Sequence, residues 1–167
     1  MIVLITGGTR SGKSSFAQEK ALELTKNPLY LATSHVEKDP DFAARVERHK
    51  QQRGEEWETA EIPVKISSIE TDRAVILVDC VTLWLSNIFM QADSDIDQSL
   101  EIAKAEIEKL DANKTWLIVT NELGMGLHAE TAIGRKFTDL QGFTNQYIAK
   151  KADEVFFMVS GIPWKLK

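Results

Sequence analysis

The chain has a single cysteine, Cys80, among 167 residues. No intramolecular disulfide can form, and the cysteine-rich zinc patterns are excluded. A reducing cytoplasm is the expected setting. Positive charge is also scarce. Lys and Arg number 20 against 25 Asp and Glu, for a net charge of −5 and a pI near 5.3. That balance argues against general binding to nucleic acid or to an anionic membrane. No stretch approaches the roughly 20 apolar residues of a membrane span. The N-terminus has no basic n-region, and its apolar run is too short for a signal peptide. Repeats, low-complexity tracts and linkers are all missing. What remains is ordinary for a globular protein, with 43% hydrophobic and 27% charged residues. The expectation is one domain over residues 1–167, long enough to bury a sizeable core.

Against that plain background one stretch stands out. Gly7-Gly8-Thr9-Arg10-Ser11-Gly12-Lys13-Ser14 reads G-x-x-x-x-G-K-S, directly after the apolar run Ile2-Val3-Leu4-Ile5. This is the pattern of a phosphate-binding loop between a buried strand and a helix. Glycines let successive backbone N–H groups turn toward phosphate oxygens, and the helix adds its positive N-terminal end. In such a loop Lys13 reaches the β- and γ-phosphates, and the Ser14 hydroxyl contributes to a Mg²⁺ site. A glycine turn without a ligand is the alternative, but loop, strand and helix agree on the first reading.

The rest of the chain alternates strands with helices. Strands are expected at 2–6, 29–32, 57–61, 74–78, 116–120 and 154–159, and helices at 13–24, 39–53, 83–90, 98–110 and 131–151. A polar break at Ala92–Asp97 separates two of the helices, and Ser160-Gly161-Ile162-Pro163 is expected to leave the sheet. Trp84, Phe89, Trp116 and Phe143 are expected in the core, and Cys80 as a small buried apolar group. The Glu/Lys-rich stretch 101–109 reads as a solvated helix face. This order implies a mostly parallel α/β sheet flanked by helices, with the ligand beyond the strands' carboxyl ends. Thr6–Ser14, Thr33-Ser34-His35, Asp79 and Asn121-Glu122 all fall at such ends.

Asp79 closes a buried strand, the usual place for the acidic partner of Mg²⁺ in a phosphate-loop enzyme. A helix N-cap is the other reading. Arg45, His49 and Arg53 recur at four-residue spacing and form one helical stripe, with Lys50 adjacent. Cationic neighbours disfavour imidazolium, so His49 is a candidate neutral nucleophile for a phosphate held by the arginines. Phe42 and Val46 precede it at helical spacing, so spacing alone equally allows a residue bordering the core. Glu61 either accepts hydrogen bonds from a purine or ribose or is an exposed acid before Pro63. Gly124 and Gly126 follow the strand at 116–120 and suit a close substrate approach or a flexible turn. His35 and His128 fall on rim loops, too far apart in sequence to suggest a metal site.

Several segments together resemble a known family, the bifunctional adenosylcobinamide kinase / adenosylcobinamide-phosphate guanylyltransferases of cobalamin biosynthesis. They are Ile5–Ser14, Tyr30–Ser34, Ala44–Lys50, Trp57–Glu61, Val119–Gly126, Ala152–Val155 and Val159–Ile162, in order over nearly the whole chain. The resemblance implies a P-loop NTPase with a RecA-like sheet, assembled as a homotrimer. It implies that His49 attacks the α-phosphate of GTP and becomes guanylylated. It also implies GTP contacts at Gly7, Gly8, Thr9, Arg10, Ser11, Gly12, Lys13 and Ser14, at Ala32, Thr33 and Ser34, at Lys50, Gln51, Gln52 and Arg53, and at Glu61, with Asp79 at the acidic strand end. Two reactions follow: phosphorylation of adenosylcobinamide by ATP or GTP, then transfer of GMP from GTP to adenosylcobinamide phosphate. The rival enzyme reading is a small-metabolite kinase with His49 structural and no covalent adduct. A GTPase switch is suggested only by Asp139-Leu140-Gln141-Gly142, which falls inside a helical pattern, and no Asn-Lys-x-Asp motif accompanies it.

Overall fold

The computed structural model describes residues 1–34 and 53–167. The expected helix at 39–53, apart from Arg53, lies outside them. The chain runs β1 (Ile2–Gly7), α1 (Lys13–Leu24), β2 (Leu29–Ala32), β3 (Glu58–Glu61), β4 (Val75–Asp79), α2 (Val81–Gln91), α3 (Ile96–Glu108), β5 (Thr115–Val119), α4 (Ala132–Lys151), β6 (Glu154–Val159) and β7 (Ile162–Lys165). The strands form one seven-stranded sheet in the order β3-β2-β4-β5-β1-β6-β7. Every pair is parallel except β6 and β7. The expected mostly parallel α/β sheet is therefore present.

The sheet's two faces explain the continuous apolar runs. Alternate residues of a strand point to opposite faces, so a strand covered on both sides has no place for a polar residue. Val3, Ile5, Leu77, Leu117 and Val119 pack with Ala17 and Ala21 of α1. Leu4, Ile76, Val78, Trp116 and Ile118 pack on the other face against α2, α3 and α4. Trp84 of α2 is fully buried there, and its indole Nε1 donates to the Val64 carbonyl at 2.6 Å.

Three expectations need correction. First, the chain does not leave the sheet after Val159. Ser160 and Gly161 both take positive φ (50° and 84°), and β7 returns antiparallel with Val159 opposite Ile162. Positive φ at both central residues defines the hairpin turn that matches strand twist, and Pro163 is tolerated because β7 is an edge strand. Second, Phe143 is 50% exposed. The buried face of α4 carries Leu140, Gln141, Thr144, Asn145 and Ile148, and at 3.6 residues per turn Phe143 falls on the opposite side. Third, the break between α2 and α3 is shorter than expected. Asp95 caps α3 by accepting from the Gln98 N–H at 2.8 Å, so the helix starts at Ile96.

Replacing Trp84 with alanine would empty a closed site and strand the Val64 carbonyl. The expected cost is about 3–5 kcal/mol, read as a lower urea midpoint at unchanged m-value. A loss below about 1 kcal/mol would mean that the neighbouring helices collapse into the gap.

Candidate nucleotide site

The loop between β1 and α1 is shaped by two places where a side chain would not fit. A Cβ on Gly7 (φ 151°) would lie 2.6 Å from the Met158 carbonyl oxygen. One on Gly12 (φ 95°) would lie 3.1 Å from Gly161 Cα. The loop is thus pressed against the β6–β7 turn, and the Gly161 N–H donates to the Ser11 carbonyl at 2.9 Å. The hairpin missed by the sequence reading is the back wall of the loop. Gly8, Thr9 and Arg10 face solvent, whereas Lys13 is only 7% exposed and donates from Nζ to the Gly8 carbonyl at 2.6 Å. The buried Ser11 hydroxyl finds no hydrogen-bond partner among the described residues. A phosphate oxygen would satisfy it.

Sheet register lines up the other candidates. Glu61 pairs with Ala32, Ala32 with Asp79, Asp79 with Val119, and Val119 with Ile5. The strand ends therefore form one row at the rim where the loop begins. Asp79 is half-buried and accepts at Oδ2 from the Tyr30 hydroxyl at 3.0 Å. Burial, and next the Asp79 charge, push the Tyr30 phenol well above its ordinary range, so it remains a donor. The Arg53 guanidinium lies 3.7 Å from the centre of the Tyr30 ring, and Trp57 meets the same ring edge-on at 6.2 Å. Arg53, Trp57, Thr59 and Glu61 line an open cleft of about 410 Å³.

Thr33 is fully buried, and its side chain has a structural task. Its hydroxyl donates to the Cys80 carbonyl at 2.8 Å and accepts the Cys80 N–H at 3.1 Å. This ties the end of β2 to the end of β4. Burial, then the Asp79 charge, raise the Cys80 thiol to about 11, so it is neutral at physiological pH. Ala32 and Ser34 are half-buried at the rim, and Glu61 is exposed. His49, Lys50, Gln51, Gln52 and His35 lie outside the described residues. His128 lies at the rim beyond β5, in a small cleft with Leu127, Arg135 and Thr138.

The sequence reading missed a polar cluster beneath the rim. Thr6 donates to Glu122 Oε1 at 2.6 Å, and Asn145 Nδ2 donates to the same oxygen at 3.1 Å. Asn145 Nδ2 also donates to the Asn121 carbonyl at 3.0 Å. Thr120 and Gln141 complete the cluster through Asn145 Oδ1 and the Thr120 hydroxyl. The Glu122 N–H reaches the Gly7 carbonyl at 3.2 Å. The sequence reading placed Thr6 and Asn121-Glu122 at the rim; the signal it passed over was the polar set Gln141, Thr144 and Asn145, on what proves to be the buried face of α4.

A profile of the family described as cobinamide kinase / cobinamide phosphate guanyltransferase matches residues 3–166. The chain belongs to that family. Full-length relatives agree. The chain is 38% identical to the bifunctional adenosylcobalamin biosynthesis protein CobU of Escherichia coli K12, over all of both chains. It is 36% identical to CobU of Salmonella typhimurium, again over all of both chains. It is 32% identical to CobP of Pseudomonas aeruginosa, over 98% of this chain and 96% of that one. Among solved structures, the flagellar accessory protein FlaH from Methanocaldococcus jannaschii superposes with a TM-score of 0.53 at 13% identity, covering 99% of this chain and 77% of that one. That likeness concerns the fold, and the fold is that of the P-loop NTPases.

Because Gly12 touches the hairpin turn at positive φ, Gly12→Ala is expected to cost about 1–3 kcal/mol of stability. It should also weaken binding of a non-hydrolysable GTP analogue at least tenfold in equilibrium titration. Unchanged affinity would show that the loop does not need its contact with Gly161.

Proposed function

We propose that this chain is a bifunctional enzyme of cobalamin biosynthesis that phosphorylates adenosylcobinamide with ATP or GTP and then converts the product to adenosylcobinamide-GDP. The observation that carries this reading is the family match over residues 3–166, joined to a G-x-x-x-x-G-K-S loop at the strand ends. In the first reaction the acceptor hydroxyl attacks the γ-phosphorus, and the nucleoside diphosphate leaves. In the second, the neutral imidazole of His49 attacks the α-phosphorus of GTP and pyrophosphate leaves. An oxygen of adenosylcobinamide phosphate then displaces the imidazole and takes the GMP.

The loop's backbone N–H groups, Ser11 and Lys13 are the groups suited to hold the triphosphate and offset charge during transfer. Arg53, fixed by its stacking on Tyr30, offers a further cation toward the cleft that Glu61 lines. Lys50, Gln51 and Gln52 complete the nucleotide contacts in this reading, together with Ala32, Thr33 and Ser34. For Thr33 that contact is left to the backbone N–H, because its hydroxyl and carbonyl are engaged internally. Ser14 and Asp79 supply a hydroxyl and a carboxylate, hard oxygen donors of the kind that hold Mg²⁺ together with substrate phosphates. Tyr30 fixes one Asp79 oxygen and so orients the other. A bound Mg²⁺ would supply Lewis-acid stabilisation of phosphate charge.

A homotrimer and a cytoplasmic setting belong to the same proposal. The first rests on the family resemblance and the second on the single thiol. No described helix is long and apolar enough to cross a membrane.

Incubation with GTP labelled at the α-phosphate is expected to give a covalent label that is acid-labile and base-stable, as a phosphoramidate is. His49→Ala should abolish it. Absence of label on the wild-type protein in the presence of Mg²⁺ would remove the guanylyltransferase half of the reading and leave the simple kinase.

A further inference from the structure

The two reactions differ in one chemical demand. Phosphorylation uses an alcohol, whose proton must leave as the new P–O bond forms. GMP transfer uses a phosphate, whose attacking oxygen is already anionic. A proton acceptor is therefore needed in the first step and not in the second. This distinction rests on the functional reading above.

The polar cluster under the rim holds a carboxylate suited to that task. Glu122 follows β5, the strand between the phosphate-loop strand and the Asp79 strand. Its N–H is anchored to Gly7, the first residue of the loop motif, at 3.2 Å. Its side chain is half-buried, with both hydrogen bonds on the same oxygen: Thr6 at 2.6 Å and Asn145 at 3.1 Å, both to Oε1. Among the described residues nothing bonds Oε2. Thr6 is 6% exposed and Asn145 is 6% exposed, so the clamp itself is built into the core. Fixing Oε1 from two sides fixes the orientation of Oε2. The next residues, Leu123 and Gly124, begin the lining of a small open cleft at the same rim.

We infer that Glu122 is the proton acceptor of the kinase step: it takes the proton of the acceptor hydroxyl on Oε2. As the hydroxyl oxygen bonds to the γ-phosphorus, the bond from that phosphorus to the bridging oxygen breaks. The nucleoside diphosphate leaves with that electron pair. The carboxylic acid formed at Glu122 then releases its proton to water. Neither guanylylation of the enzyme nor transfer of GMP to the phosphorylated acceptor uses this carboxylate.

The test is Glu122→Gln. The amide oxygen still accepts from Thr6 and Asn145, so the clamp and the fold are retained, whereas the basic oxygen is lost. Phosphorylation of adenosylcobinamide by γ-labelled ATP is followed under single turnover, with nucleotide affinity, thermal midpoint and guanylylation by α-labelled GTP measured on the same preparation. The expected result is a fall of about a hundredfold or more in the phosphoryl-transfer rate. Nucleotide affinity and guanylylation should stay within threefold of wild type. Thr6→Val, which removes one clamp bond, should lower the same rate by a smaller factor. A Gln variant that phosphorylates at the wild-type rate overturns the inference alone. A variant that loses guanylylation or nucleotide binding in parallel also overturns it, and makes Glu122 a structural support of the loop. A wild-type protein that never phosphorylates adenosylcobinamide overturns the functional reading, and the inference falls with it.

Discussion

The phosphate loop holds its form because backbone meets backbone with no side chain between. Gly7 lies against the carbonyl of Met158, and Gly12 against Gly161 Cα. At these distances even a methyl group would force one chain segment away from the other. The contact joins the first strand to the last hairpin, 2.9 Å apart at the Gly161 N–H and the Ser11 carbonyl. The curvature of the loop, and with it the direction of its N–H groups, follows from this packing. Lys13 lies folded back over the loop, with Nζ donating to the Gly8 carbonyl. In the proposed role, a triphosphate in the loop would give that ammonium a charged acceptor.

Around this anchor the site is assembled by strand register. Adjacent parallel strands bring Glu61, Ala32, Asp79, Val119 and Ile5 to one level. Each residue just beyond that level stands at the rim. Two side-chain systems stiffen the row from opposite faces of the sheet. On the α1 face, Tyr30 links Asp79 to Arg53 through a hydrogen bond and a stacked guanidinium. On the α4 face, Thr6, Glu122, Asn145, Thr120 and Gln141 form a hydrogen-bonded cluster, in which the buried Gln141 Oε1 has no partner among the described residues. The carboxylates of Asp79, at the end of β4, and of Glu122, just beyond the neighbouring β5, are thereby each held by one oxygen.

Much of this was legible from residues alone, and the exceptions have physical causes. β1 and β4 were plain because strands covered on both faces are written as unbroken apolar runs. The start of α3 shifted by two residues because Asp95 caps it inside the expected polar break. β7 was missed because its turn uses Ser160, a non-glycine at φ 50°, and because Pro163 and the exposed Ile162 look like the exit from a sheet. Phe143 was misplaced because aromaticity was read as burial without regard to the face of α4 on which it falls. Thr33 was expected to contact the nucleotide; it stands at the strand-end rim, where its hydroxyl is engaged by the backbone of Cys80, a partner 47 residues away.

By itself the sequence determined the chemistry of the phosphate loop, because eight consecutive residues carry its glycines, its lysine and its hydroxyl. Its order of motifs determined the family too. Only the tertiary structure decided what stands behind the loop and beside it. Gly161 supports it and Glu122 flanks it, yet Glu122 bonds a side chain 116 positions earlier in the chain. Such partnerships leave no periodicity in the sequence. They exist because a parallel sheet sets distant strand ends about 5 Å apart, where side chains of unrelated segments share one rim.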